Sequence, residues 1–131
     1  MFDKYMVLTR GFQNVRENGQ IVGFEMKVRI TYYRGVFLPL VSGFDVTVDG
    51  EKFKPEQLRF SYGGKSYTME EMAKAETVHW DFGDPATLMV LKPGGLKPGI
   101  HDVQVVETVK PSYMGPAGFT GRTRRKITLV Y

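Results

Sequence analysis

Residues 22–32 alternate in character: Val22, Phe24, Met26, Val28, Ile30 and Tyr32 are separated by Gly23, Glu25, Lys27, Arg29 and Thr31. A period of two places the two sets on opposite faces of a strand, so the segment reads as a half-buried β-strand. Phe44, Val46 and Val48 repeat the pattern against Asp45, Thr47 and Asp49, and Asp49-Gly50 then offers the positive φ angles of a tight hairpin turn. Leu58, Phe60 and Tyr62 give a third strand, Gly63-Gly64 a second turn, and Lys65 to Tyr67 the start of a return strand.

The spacing predicts one short helix near 68–75. Thr68 can cap it, Glu71 can reach back in a capping box, and Met72 to Ala75 can continue it for two turns at most. Val78, Trp80 and Phe82 alternate again, Gly83-Asp84-Pro85 breaks the run, and Ala86 to Leu91 is short enough for a buried strand. The prolines and glycines of 92–99 forbid a regular element, so the chain should turn a corner between sheets there before a strand over 100–109. A loop over 110–121 and a last strand over 122–131 complete the reading. The expected fold is all-β: a single antiparallel β-sandwich domain spanning 1–131, immunoglobulin-like in appearance, with one short helix inserted.

Composition narrows the chemistry more than the fold. Nine Phe, seven Tyr, 15 Gly and 7 Pro among 131 residues suit short strands and turns and exclude a helical bundle. With no cysteine, the chain has no disulfide, thiolate nucleophile or Cys-ligated metal. The net charge of +4 owes much to Arg122, Arg124, Arg125 and Lys126. A stripe of this sort is ordinarily a solvated strand face, so no nucleic-acid partner is expected. With no leader-like N-terminus and no long apolar run, the expectation is a cytoplasmic protein without a membrane partner.

Catalytic candidates fail one by one. The two histidines, His79 and His101, are far apart in sequence and lack a third metal ligand. His79 falls on the strand face opposite Trp80 and reads as a surface residue; His101, just after the corner, reads as a hydrogen-bonded edge residue, and neither offers itself as a general base. No serine sits in a G-x-S-x-G elbow, Glu70-Glu71 belongs to the first helical turn, and the glycines of 94–99 lack a phosphate loop's Lys-Ser/Thr. No catalytic or metal residue is assigned. The unusual feature is apolar chemistry in loops. Tyr32, Tyr33, Arg34 and Phe37 form one group, and Tyr113, Met114, Pro116 and Phe119 form another, of the side-chain types enriched at interface centres. Both are candidate partner interfaces; the competing reading folds them over the open ends of the sandwich as core.

Several fragments in one order then carry a likeness: Arg10-Gly11-Phe12-Gln13-Asn14-Val15, Gly23-Phe24, Tyr32-Tyr33-Arg34-Gly35, Val48-Asp49-Gly50, Trp80 to Ala86, Gly94-Gly95-Leu96 with Gly99 and His101, and Ser112-Tyr113. In these the chain resembles the small beta subunit of bacterial C-glycoside deglycosidases, from about Arg10 to Tyr113. The tail from Arg122 matches no motif. The resemblance implies a β-sandwich that supports a larger, sugar-isomerase-like TIM-barrel alpha subunit, with Mn²⁺ or another divalent metal there and none in this chain. It also implies a higher alpha-beta oligomer. The implied reaction, in flavonoid glycoside catabolism, cleaves the C–C bond between sugar and aromatic aglycone of a 3-oxo-C-glycoside. The ketone acidifies the sugar C2 proton, a base of the partner removes it, and the aglycone leaves while the metal stabilises the enolate. The resemblance assigns no catalytic residue to this subunit. The alternative is a stand-alone sandwich that binds carbohydrate or protein, with Tyr32, Tyr33 or Trp80 as stacking platform.

Overall fold

The computed structural model describes residues 6–30, 35–81, 83–109 and 119–129. Eleven strands and one helix follow in chain order: β1 Gln13–Glu17, β2 Gln20–Val28, β3 Val36–Phe37, β4 Val41–Val48, β5 Glu51–Phe53, β6 Leu58–Tyr62, β7 Lys65–Thr68, α1 Met69–Met72, β8 His79–Trp80, β9 Ala86–Leu91, β10 Gly99–Val109 and β11 Phe119–Leu129. One sheet has the order β1-β2-β9-β6-β7 and a second the order β11-β10-β4-β5, while β3 and β8 form a two-stranded ladder. All the paired strands run antiparallel.

The alternations place the core as expected. Phe24, Met26 and Val28 of β2, Leu58 and Phe60 of β6, and Ala86, Leu88 and Val90 of β9 bury their side chains against Phe44, Val46 and Val48 of β4 and Val103, Val105 and Val109 of β10. Aromatic rings join the two sheets at both ends. Phe24 meets Phe53 edge-on at 5.5 Å, and Phe44 stacks on Phe60 at 5.9 Å. This is an all-β sandwich, and residues from both sheets share one continuous core.

The turns form where the local chemistry places them. Asp49 (φ 52°) and Gly50 (φ 85°) close the β4–β5 hairpin. Thr68 accepts the Glu71 N–H while the Glu71 carboxylate accepts the Thr68 N–H, so the capping box forms. The helix it starts is only one turn, Met69–Met72, shorter than the 68–75 of the sequence reading.

Three boundaries differ. The alternating strand over 22–32 ends at Val28, where the Leu8 N–H donates to the Lys27 carbonyl and the Arg29 N–H to the Met6 carbonyl. Of the described part of the 78–82 run, His79 and Trp80 are strand, and Phe82 lies outside the described residues. The last strand begins at Phe119, not Arg122: Phe119, Thr120 and Gly121 extend the ladder opposite Val109, Thr108 and Glu107.

Gly23 shows how tightly one sheet is drawn together. A Cβ there would lie 2.0 Å from the Val90 carbonyl oxygen in the adjacent strand. Backbone cannot yield as a side-chain tip can, so Gly23→Ala should cost about 1–3 kcal/mol. A chemical denaturation curve checks this; an unchanged midpoint would contradict the close approach.

Candidate functional site

One end of the sandwich is closed by the β3–β8 ladder, in which Val36 pairs with Trp80 and Phe37 with His79. The Trp80 side chain is fully buried and packs on Phe60 at 4.9 Å and Phe44 at 6.3 Å. Its indole N–H donates to the Asp84 carbonyl at 2.8 Å, so the ring also fixes the turn that follows. Tyr62 fastens the same turn twice. Its hydroxyl donates to Asp84 Oδ2 at 2.7 Å and accepts the Asp81 N–H at 3.2 Å. Burial and the hydrogen bond to Asp84 hold the Tyr62 phenol above its ordinary value, so it stays protonated and able to donate.

This scaffold presents Phe37, His79 and Asp81. Phe37 is 47% exposed. The His79 ring packs edge-on to it at 4.9 Å, and His79 Nδ1 lies 2.6 Å from Asp81 Oδ1. His79 is thus a surface residue, as its parity required, but its environment corrects one expectation. The chain does supply an imidazole with an orienting carboxylate. Residues two apart share a strand face, so His79 and Asp81 were already placed side by side by sequence.

The opposite end is held by a second histidine. His101 is 9% exposed; its Nδ1 lies 2.6 Å from Asp49 Oδ2 and its Nε2 lies 2.6 Å from the Lys97 carbonyl. Both neighbours are acceptors, so both ring nitrogens donate and the ring is an imidazolium. Burial opposes that charge, but the hydrogen bonds to Asp49 and Lys97 and the Asp49 charge together outweigh it, and the His101 value is raised. The hydrogen bonds from His101 and from the Asp102 N–H, which Asp49 Oδ1 accepts at 2.8 Å, lower the Asp49 value in turn. This pair pins the β4–β5 turn to the start of β10. Nearby, Asn14 accepts the Leu96 N–H and donates to the Leu96 carbonyl, and a Cβ on Gly95 would lie 2.3 Å from Asn14 Oδ1.

Several of the fragments that carry the likeness therefore resolve into fasteners: Asn14 with Gly95 and Leu96, Gly23 against Val90, Asp49 with His101, Trp80 with Asp84. Of the candidate interface residues, Phe37 is exposed beside the ladder, and Phe119 starts β11 opposite Val109. Tyr32, Tyr33, Arg34, Tyr113, Met114 and Pro116 lie outside the described residues. Glu107 escaped the sequence reading: it shares the parity of Val105 and Val109 and its side chain is fully buried.

The basic stripe divides by parity. Arg122, Arg124 and Lys126 are exposed, and Arg124 forks onto Asp102 at 2.6–3.1 Å. Arg125 is half-buried on the other face and donates to the Val7 carbonyl at 2.7 Å. Inward charge on a long edge strand discourages pairing with another copy. Among the described residues, no group of three or more His, Asp or Glu side chains could hold a metal ion, and no helix is long and apolar enough to cross a membrane.

The described residues thus form an all-β sandwich whose two ends are fastened by side-chain hydrogen bonds, with Phe37 presented beside the β3–β8 ladder. Residues 2–113 match the family of C-glycoside deglycosidase beta subunits. The chain is 38% identical over 130 residues to a C-glycoside deglycosidase beta subunit of Eubacterium cellulosolvens, covering 98% of this chain and 88% of that protein. It is 30% identical over 97 residues to a 3'-dehydrocarminate deglycosidase beta subunit of a Microbacterium species, covering 73% and 72%, and 27% identical over 113 residues to a C-glycoside deglycosidase beta subunit of Arthrobacter globiformis, covering 82% and 86%. The chain belongs to the C-glycoside deglycosidase beta subunit family.

Proposed function

We propose that this chain is the accessory beta subunit of a heteromeric C-glycoside deglycosidase that cleaves the sugar–aglycone C–C bond of 3-oxo-C-glycosides. The observation that carries the reading is the likeness to a deglycosidase beta subunit over 98% of the chain. A relative named for a 3'-dehydro substrate supports an oxidised sugar as the form acted upon. The partner is a TIM-barrel alpha subunit that holds the divalent metal and the base for the sugar C2 proton; the described residues of this chain offer no ligand cluster for that metal. What this chain supplies is an end, built on Trp80, Tyr62 and Asp84, that faces the partner with Phe37.

The stand-alone binding module loses one of its platforms, because Trp80 is buried in the core. The test is a titration of the alpha subunit with variants of this chain. Arg34→Ala or Tyr113→Ala should weaken the complex by about 2 kcal/mol or more if each is a central anchor. Arg124→Ala, on an exposed face and spent on Asp102, should change affinity by less than about 0.5 kcal/mol at moderate salt. Equal binding by all three variants would put the interface on another face.

A further inference from the structure

The Phe37–His79–Asp81 cluster has a build that neither folding nor simple docking requires. An exposed His–carboxylate pair contributes little to stability. Yet the backbone that carries this one is fastened on both sides: the Asp81 N–H by the Tyr62 hydroxyl, the Tyr62 hydroxyl by Asp84, the Asp84 carbonyl by Trp80, and Val78 by the Leu38 N–H bond to its carbonyl. The result is an imidazole whose plane and tautomer are both set. In its neutral form, with Nδ1–H donated to Asp81, the ring keeps its lone pair on Nε2, for which no described residue provides a donor. Phe37, one of two large apolar side chains left exposed among the described residues, lies against that ring. Among the described residues, the Asp81 and Asp84 carboxylates lie close by.

These features select a ligand by chemistry. The aromatic surface favours a flat ring, the Nε2 lone pair favours a strong O–H donor, and the carboxylates disfavour an anion. A sugar alone could place its C–H face on Phe37, but its several hydroxyls would find one fixed acceptor on this imidazole. We propose that Phe37, His79 and Asp81 form a subsite for a neutral, hydroxylated aromatic ring, with the ring against Phe37 and a phenolic O–H donated to His79 Nε2. Asp81 acts here as a positioning residue, through His79. The proposal deepens the beta-subunit reading, on which its role as an aglycone subsite rests: the ring that leaves the sugar would lie across this end of the sandwich, between the subunits.

The experiment titrates the full chain, without any partner, with resorcinol and follows the aromatic resonances of Phe37 and His79 by NMR. Methyl glucoside and benzoate serve as parallel probes. Saturable shifts confined to Phe37, His79 and their neighbours are expected with resorcinol, weaker shifts with benzoate, and none with the glucoside. Phe37→Ala should weaken resorcinol binding by about 2- to 10-fold, the worth of one aromatic contact. Asp81→Asn should weaken it and also scramble the His79 tautomer seen in ¹⁵N–¹H correlations, a readout that a merely structural carboxylate would leave unmoved. Thermal melts of both variants show that they are folded. Absence of site-specific shifts with resorcinol, shifts with the glucoside in its place, or undiminished binding by Phe37→Ala would overturn the proposal. Because no alpha subunit is present, this result is independent of whether the two subunits assemble.

Discussion

Trp80→Ala is expected to destabilise the fold by about 3–5 kcal/mol, the cost of emptying a fully buried large aromatic site. The indole contacts Phe44 from one sheet and Phe60 and Tyr62 from the other, so its removal leaves a void between the layers rather than a dent at the rim. It also leaves the Asp84 carbonyl without the indole N–H, and through Asp84 it loosens Tyr62 and Asp81. Trp80→Phe should recover much of the packing but not the hydrogen bond, which alone contributes about 0.5–1.5 kcal/mol. Denaturant unfolding of the three proteins measures both parts. A loss within about 0.5 kcal/mol for Trp80→Ala would place the ring at the surface and restore the stacking-platform reading.

His101→Gln should cost about 1–3 kcal/mol near pH 6, because the charged hydrogen bonds from the buried His101 ring to the Asp49 carboxylate and the Lys97 carbonyl are lost. Its larger signature is in pH dependence. The folded His101 value is raised above the ordinary 6.5, so its stabilisation is complete below about 6.5 and is lost as pH rises through the raised folded value. The folded Asp49 value is lowered from the ordinary 3.8, so its stabilisation is present above 3.8 and is lost as pH falls through the lowered value. The two windows overlap between about 3.8 and 6.5, where the carboxylate and the imidazolium coexist. Wild-type melting temperature should therefore decline from pH 6 toward alkaline pH, and His101→Gln should flatten that limb. A variant that keeps the full alkaline decline would show that another group carries it.

What sequence reasoning could see was governed by distance along the chain. The Asp49-Gly50 and Gly63-Gly64 turns and the Thr68–Glu71 box are made by residues within four positions of each other, so their types suffice to name them. Asn18-Gly19 carried an equally local signal: Asn18 (φ 52°) and Gly19 (φ 79°) turn β1 into β2. It was missed because Gln13–Glu17 is largely solvent-facing and shows no alternation to bracket the turn. Phe119 to Gly121 read as loop because glycine and threonine have little pattern, and only the long partner β10 recruits them into a strand. The Asp49–His101 pair spans 52 residues and leaves no local trace beyond the residue types. At the presented end, the sequence left Phe37 open between an exposed interface and a core contact, and the burial of Trp80 followed from its parity with Val78 and Phe82. The orientation of His79 by Asp81 was legible too, but an i, i+2 pair gains meaning only once Tyr62 and Asp84 are seen to hold it.

The most direct test of the subunit assignment is reconstitution. Purified chain, the proposed TIM-barrel alpha subunit, and the two mixed over a range of ratios would be assayed for release of free aglycone from a 3-oxo-C-glycoside. The account predicts no turnover by this chain alone, and activity of the alpha subunit that rises with added chain to a plateau at a fixed ratio. Turnover by the isolated chain, or alpha-subunit activity indifferent to its presence, would contradict it.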